Sequence, residues 1–311
     1  MAAHTWAIVV NWNTKGLLRA CLTALTAQEG AGWLHVICVD NGSTDGSVEL
    51  VEREFPSVVL VPNRENVGFA RACNQGIVLA LEQYGAEYVA LVNSDVVVSP
   101  ATVAVLVALL ADRPEVAAIG PLLRLPDGRL QTGAAGFAPT AWSGVCQFLF
   151  LSALTRGRCR GFFIDQRRFA GCTHPVAVDW VSGACVVARA AAIRRVGLLD
   201  TRFFMYGEDV EWCCRLRRSS FSVWYAPWVE VVHRQGASGA RPSPEWLAST
   251  CELVRRDRHQ LEYLVFRLAA ALGLGARRAV YTVAYIATRK ECYRRLANDM
   301  GVYARWAIGL G

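Results

Sequence analysis

Two short stretches carry residue types that could do chemistry. In Tyr88–Pro100, YVALVNSDVVVSP, an apolar run ends in Asn93-Ser94-Asp95. A continuous apolar run of this length reads as a strand buried on both faces of a parallel sheet. Polar groups at its carboxyl end lie where open α/β sheets bind ligands. Residues two apart on an extended chain point the same way, so Asn93 and Asp95 offer hard oxygen donors suited to Mg2+ or Mn2+. The plainer alternative is that they cap a turn. In Phe203–Arg215, FFMYGEDVEWCCR, aromatics and Met205 lead through Gly207 to Glu208-Asp209, which open a helix bearing Glu211, Trp212 and Arg215. Carboxylates in a first helical turn are favourable by dipole alone. Beside aromatics they are partly desolvated, which raises the pKa and suits one of them to act as a general base. Trp212 reads equally as a stacking platform or as core.

The elements that must position these groups follow from periodicity. Trp6–Val10 is a β-rich run ending in Asn11-Trp12-Asn13, and Thr14 is placed to cap a helix with apolar Leu17, Leu18, Cys21, Leu22 and Leu25. Leu34–Val39 is a second strand, ending in Asp40-Asn41-Gly42-Ser43, with a helix following through Phe55. Val58–Val61 is a third, followed by a helix from about Gly68 to Tyr84. This alternation predicts a parallel, doubly wound sheet whose strand-end loops gather along one edge. A nucleotide accounts for that edge. Asp40 can accept hydrogen bonds from a base or ribose, and Arg71, in the first turn of its helix, can reach a phosphate. Asn41 and Asn63 read equally as turn residues. The absence of GxGxxG after the first strand and of GxxxxGK[ST] excludes dinucleotide and P-loop sites.

Further on, Ser99-Pro100 is placed to open a helix over Ala101–Leu110, and Val116–Leu125 is extended. Residues 137–175 mix aromatics with Arg156, Arg158, Arg160, Arg167 and Arg168 and read either as a mobile loop over an acceptor or as a solvated basic insertion. Val176–Val187 is strand-like, interrupted at Ser182-Gly183, where glycine permits close approach of another group. Ser222–Val232 is a strand ending in His233. From Pro244 the pattern is helical, with Leu261, Leu264, Val265, Leu268 and Leu272 in register. Gly273–Gly275 is expected to break it before a second helix over Ala276–Arg305.

The chain has 311 residues, enough for one large or two modest domains, and a net charge of +7. Residues 241–311 hold twelve Lys/Arg against six Asp/Glu, a basic tail interleaved with Leu, Val and Tyr. That composition suits an anionic membrane surface. Nucleic acid is the weaker reading because no nucleic-acid motif is present. The competing role for these helices is packing on the catalytic domain or on a second copy, as a homodimer. No run reaches the ~18 apolar residues of a spanning helix and no leader opens the chain, so the expected location is cytoplasmic, peripheral on the inner face of the cell membrane. Eleven cysteines, odd in number and without CxxC, sit mostly in apolar runs and read as reduced thiols rather than a zinc site.

The motifs also resemble a known family in their order: VVNWNT (Val9–Thr14), VDNGSTDGS (Val39–Ser47), NVGFARACNQG (Asn66–Gly76), LVNSDV (Leu91–Val96), SGACVVARA (Ser182–Ala190), FFMYGEDVEWCCR (Phe203–Arg215) and HRQGAS (His233–Ser238). Together they resemble the family 2 glycosyltransferases of the GT-A fold, in the bacterial rhamnosyltransferase-like branch. The resemblance implies an α/β, Rossmann-like domain with a mostly parallel central sheet flanked by helices. Residues 1–240 would form it, about 1–98 as the nucleotide-binding half and 99–240 as the acceptor-binding half, with 241–311 as a C-terminal helical extension.

The same resemblance implies inverting transfer from a nucleoside-diphosphate sugar with Mg2+ or Mn2+. Asn11, Asn13, Asp40, Asn41, Asn66, Gly68, Arg71, Asn74, Asn93, Ser94 and Asp95 would bind the donor. Asp95 and His233 would hold the metal, and Gly236 and Ser238 would close over the nucleotide. Asp209 would be the base with Glu208 orienting the acceptor, beside Gly183, Ala184, Trp212 and Arg215. The branch implies dTDP-L-rhamnose, with a UDP-hexose as the alternative, and a polyprenyl-linked glycan as acceptor. The family's metal motif often has two carboxylates. Here Asn93 takes the first position, so Asp95 becomes the chief protein anchor. A catalytically weak nucleotide-sugar-binding protein is the competing class, and the retained Glu208-Asp209 pair argues against it. Nucleotidyl transfer would need a basic glycine-rich loop near the start, which is absent.

Overall fold

The computed structural model describes residues 4–28, 32–169, 171–234 and 244–309. Gly236 and Ser238, expected to close over a nucleotide, lie outside them. In chain order the elements are β1 (Thr5–Asn11), α1 (Lys15–Thr26), β2 (Leu34–Asp40), α2 (Ser47–Glu54), β3 (Val59–Pro62), α3 (Phe69–Val78, ending in a π-turn Leu79–Gln83), β4 (Tyr88–Asn93), β5 (Val96–Val97), α4 (Thr102–Ala111), β6 (Val116–Arg124), β7 (Ala135–Gly136), α5 (Ala141–Phe148), α6 (Leu151–Leu154), β8 (Val176–Val178), β9 (Trp180–Val181), β10 (Cys185–Arg189), α7 (Ala190–Val196), α8 (Glu208–Arg218), β11 (Ser222–His233), α9 (Glu245–Asp257), α10 (Gln260–Thr288) and α11 (Glu291–Ala307). Two compact units result: Met1–Gly136 with Asp165–Gly239, and Phe137–Ile164 with Ala240–Gly311.

The first unit is built on a sheet of order β3-β2-β1-β4-β10-β6-β11-β5, with β8 paired to β11. Strands β1 to β4 run parallel to one another, with Asn11 opposite Asp40, Asp40 opposite Pro62 and Val10 opposite Asn93. Parallel strands in this register deliver their carboxyl-end loops to one edge. Beyond β4 the sheet changes sense: β10 runs antiparallel to β4 and β6, and β11 runs parallel to β6. Tyr88–Val92 and Val116–Leu123 are buried along their length. Ile8 and Ile37 from the sheet, with Leu18, Leu22, Leu25 and Ile77 from α1 and α3, are almost wholly buried. Each such side chain contributes roughly 1.5–3 kcal/mol.

Two helix starts differ from the sequence expectation. Thr14 holds the N-cap position of α1, but its side chain does not cap the helix. Its hydroxyl donates to Asn11 Oδ1 at 2.7 Å, and Asp45 Oδ2 accepts the Lys15 N–H at 2.8 Å. Helix α4 begins at Thr102, because the Ser99 carbonyl accepts the Thr102 N–H at 3.0 Å in a turn that precedes the helix.

The second unit packs α5, α9, α10 and α11 around Phe148, Phe162, Leu247, Phe266 and Leu274. Phe137–Ile164 belongs with these helices. Helix α10 runs unbroken through Gly273 and Gly275, contrary to the expected break. Gly273 lies against the Phe148 carbonyl, where any Cβ would collide, so glycine here serves a close approach rather than a helix end. The chain instead turns at Arg289, whose φ is 55°.

Candidate active site

The strand-end loops are held together by their own polar side chains. Asn11 is fully buried. Its Nδ2 donates to Asp40 Oδ2 at 2.8 Å and to Ser43 Oγ at 3.1 Å. Asp40 Oδ1 accepts the Ser43 N–H at 2.8 Å, which leaves the carboxylate further lone pairs for a ligand. The Thr14 hydroxyl, bonded to Asn11, lies 2.8 Å from Ser94 Oγ and so links the ends of β1 and β4. Asn13, with φ 53°, accepts the Thr44 N–H through Oδ1 at 2.8 Å. Asn41 Nδ2 donates to Asn66 Oδ1 at 2.8 Å, and Asn41 Oδ1 accepts from Val67 N–H at 3.1 Å and Asn63 Nδ2 at 3.2 Å. Those amides shape the loop that leads into α3. Arg71, one turn on, is exposed and forms no ion pair among the described residues.

Backbone contacts then join motifs far apart in sequence. The Phe69 N–H donates to the Phe204 carbonyl at 2.8 Å. Gly68 has φ +88°, and a Cβ there would stand 2.8 Å from Phe204 Cδ2, so both the turn and the approach require glycine. Asn74 grips Leu199, donating from Nδ2 to its carbonyl at 2.8 Å and accepting its N–H at 3.0 Å. The Asn93 N–H donates to the Ala184 carbonyl at 2.9 Å, and the Gly183 N–H donates to Asp209 Oδ2 at 2.9 Å. The strand-end loops, the end of β4, the Ser182–Ala184 turn and the Glu208-Asp209 pair are thus one connected region.

The two acids of that pair differ. Asp209 is half-buried, and its Oδ1 accepts the Val210 N–H at 2.8 Å. Burial raises its pKa, and the backbone N–H donors partly offset the rise. Glu208 is 4% exposed, and its Oε2 has no hydrogen-bond partner among the described residues. Burial first, and then the adjacent Asp209 charge, push its carboxyl well above the ordinary range. Environments that separate two carboxyls in this way suit one to hold a proton and the other to take one.

His233 reaches the end of β4 through the pairing of β5 with β11, which sets it opposite Val96. Its Nε2 lies 3.1 Å from Asp95 Oδ1, and its Nδ1 lies 2.7 Å from Gln131 Oε1. An amide oxygen can only accept, so Nδ1–H donates to Gln131 and Nε2 faces the Asp95 carboxylate. With a proton on Nε2 this contact is an ion pair, and without it imidazole and carboxylate are a donor set that a divalent ion takes. Asn93 Oδ1 is also buried without a partner among the described residues. Those residues contain no group of three or more His, Cys, Asp or Glu arranged for a metal. The protein therefore supplies few ligands, and a diphosphate and water would have to complete the shell.

Several expected roles need revision, and some residues went unread in the sequence. Trp212 is 1% exposed and donates from Nε1 to the Gly197 carbonyl at 3.1 Å, so it has no free face for a sugar. Arg215 is bound to Glu211 at 2.8 Å and donates to the Val196 and Leu198 carbonyls at 2.6 Å, which commits its guanidinium to the loop after α7. The exposed rings in this part of the chain are Phe204 (55%) and Tyr206 (45%). Gln131, 5% exposed, had no motif to mark it and is revealed only by its contact with His233.

Comparison with known proteins agrees with this geometry. Residues 3–256 match the family described as "Glycosyltransferase like family 2". The chain is 31% identical over 236 residues to an N-acetylglucosaminyl-diphospho-decaprenol L-rhamnosyltransferase of Mycobacterium tuberculosis, covering 73% of this chain and 76% of that protein. Its fold is similar to that of the mannosyltransferase PcManGT from Pyrobaculum calidifontis, solved with GDP-Man and Mn2+ (TM-score 0.62, 19% identity, 99% of this chain and 86% of that one). It also resembles GalNAc-T7, solved with UDP, GalNAc and Mn2+ (TM-score 0.56, 14% identity, 79% and 47%). The strand order, the joined motifs and the family match lead to one conclusion: this chain belongs to glycosyltransferase family 2 and is a transferase built on the GT-A fold.

Proposed function

We propose that the protein transfers L-rhamnose, with inversion, from dTDP-L-rhamnose to a hydroxyl of a polyprenyl-linked glycan at the inner face of the membrane. The observation that carries this reading is the bond from Gly183 N–H to Asp209 Oδ2, which ties a basic carboxylate to the turn joined to the end of β4. The acceptor hydroxyl oxygen attacks the anomeric carbon, the bond from that carbon to the phosphate oxygen breaks, and its electron pair leaves with the nucleoside diphosphate. The hydroxyl proton passes to Asp209. Gly183 and Val210 orient that carboxylate before substrate arrives.

Glu208, whose burial favours the protonated form of its carboxyl, stands beside Asp209 and orients the acceptor. Phe204 and Tyr206 offer aromatic faces to a sugar. Arg71 reaches a phosphate. Asp95 and His233 would hold a divalent cation, which would supply positive charge to stabilise the departing diphosphate. The choice of rhamnose and of a polyprenyl-linked acceptor is supported by the similarity to the mycobacterial N-acetylglucosaminyl-diphospho-decaprenol L-rhamnosyltransferase.

Calorimetric titration of dTDP, UDP and GDP, each with and without Mn2+, on wild type and Asp95→Ala tests the donor site. Metal-dependent binding of dTDP, lost in the variant, is expected. A preference for UDP would replace the donor with a UDP-hexose. No binding of any nucleotide would overturn the transferase mechanism in favour of a weak sugar-binding role.

A further inference from the structure

The least explained feature of the molecule is the outer face of α10. Leu261, Leu264, Leu268, Leu272, Val283 and Ile286 are each 51–72% exposed. At about 100° per residue these side chains fall in an arc of about 100° that runs for about 38 Å. No Asp, Glu, Lys or Arg of α10 falls within that arc. Fourteen of the nineteen exposed large apolar side chains among the described residues belong to the helical unit, so the feature is concentrated and not scattered. No helix among the described residues is long and apolar enough to cross a membrane.

Charge is divided just as unevenly. The helical unit holds fifteen Lys/Arg against six Asp/Glu, and the sheet unit eighteen against twenty, so the +7 of the chain is +9 on one and −2 on the other. At the turn between α10 and α11, exposed Arg289, Lys290, Arg294 and Arg295 stand against a single acid, Glu291. We infer that the uncharged face of α10 lies in the headgroup boundary of an anionic bilayer, with the basic turn on the lipid phosphates. A second copy is the lesser fit. A two-helix seam uses a narrower stripe than this arc, so one partner helix would leave part of it in water, whereas a lipid boundary covers all of it. Neither would a like-charged copy meet the positive turn. This inference deepens the reading of a membrane-borne acceptor and rests on it for its purpose.

The test is flotation of the full chain with phosphatidylcholine vesicles and with vesicles containing phosphatidylglycerol. Wild type should float with the anionic vesicles, weakly with neutral ones, and less in high salt. The variant Leu264→Glu/Leu268→Glu/Leu272→Glu should lose binding by about tenfold or more. Arg289→Gln/Lys290→Gln should reduce the anionic preference by about fivefold for each charge removed. Thermal melting and dTDP titration of each variant show that the fold and donor site persist. Equal flotation of wild type and the glutamate variant would overturn the inference. So would a wild type that ignores vesicles and sediments as a dimer that the glutamate variant splits. Either result with nucleotide binding intact leaves the transferase reading standing, and lost nucleotide binding in wild type sinks that reading separately.

Discussion

His233 Nε2 lies 3.1 Å from Asp95 Oδ1, across 138 positions of sequence, with Gln131 holding the other ring nitrogen at 2.7 Å. Gln131 is itself fixed, since its carbonyl accepts from Gln166 Nε2, and Gln166 Oε1 accepts from the buried Tyr225 hydroxyl at 2.9 Å. With Nδ1–H held by this acceptor, Nε2 of the neutral ring would aim its lone pair at the position proposed for the metal. Gln131→Leu should therefore weaken Mn2+ affinity, measured calorimetrically in the presence of dTDP, by about 10–100-fold. Thermal melting without metal should change far less. Unaltered Mn2+ binding would show that Gln131 does not position His233.

Metal binding should depend on the nucleotide. With Asn93 in place of a second acid and two nearby protein donors in Asp95 and His233, Mn2+ alone should bind weakly and dTDP should strengthen it markedly. Asn93→Asp should restore part of the nucleotide-free affinity. Tight binding of Mn2+ to the wild-type protein without nucleotide would contradict this ligand count.

Asp209→Asn should lower the transfer rate by about 10²–10⁴-fold while dTDP affinity stays within about twofold. The wild-type rate should fall on its acid side as Asp209 takes a proton. Because burial raises that pKa above the ordinary aspartate value of 3.8, the fall should begin at higher pH than for an exposed aspartate. A variant with full activity would remove Asp209 from the role of base.

Glu208 makes a prediction about stability. Its folded pKa is raised, so between the unfolded and folded values the native state binds more protons than the unfolded state, and stability falls as pH rises through that window. Glu208→Gln removes the titration and keeps the shape. Its melting temperature should exceed that of wild type at pH 8, and the difference should shrink toward pH 4. A variant less stable than wild type at pH 8 would show that Glu208 is charged and paired.

Trp212 and Phe204 should separate cleanly. Trp212→Ala empties a fully buried site and should cost about 3–5 kcal/mol of stability, read by denaturant unfolding. Phe204→Ala, at a side chain 55% exposed, should change stability little and raise the acceptor KM. If Phe204→Ala left acceptor kinetics untouched, the exposed ring would have no part in sugar binding.

The amino-acid sequence by itself determined the strands, the alternation with helices and the edge on which Asn11, Asp40, Asn66 and Asp95 gather. Those features follow from apolar period and from the geometry of parallel strands, and both act over neighbours within a few turns of chain. It also marked the Glu208-Asp209 pair, because two acids before an amphipathic helix are legible as residue types. Tertiary structure alone decided which side chains keep a free face. Trp212, which reads equally as a platform or as core, and Arg215, expected at the acceptor, are consumed by the Gly197, Val196 and Leu198 carbonyls. Gln131 looks like any polar residue until β11 brings His233 against it. Even Gly273, a helix breaker by propensity, proved to be a contact. Burial and side-chain pairing depend on groups from about fifteen to over a hundred residues away, and no local pattern encodes which of them will arrive.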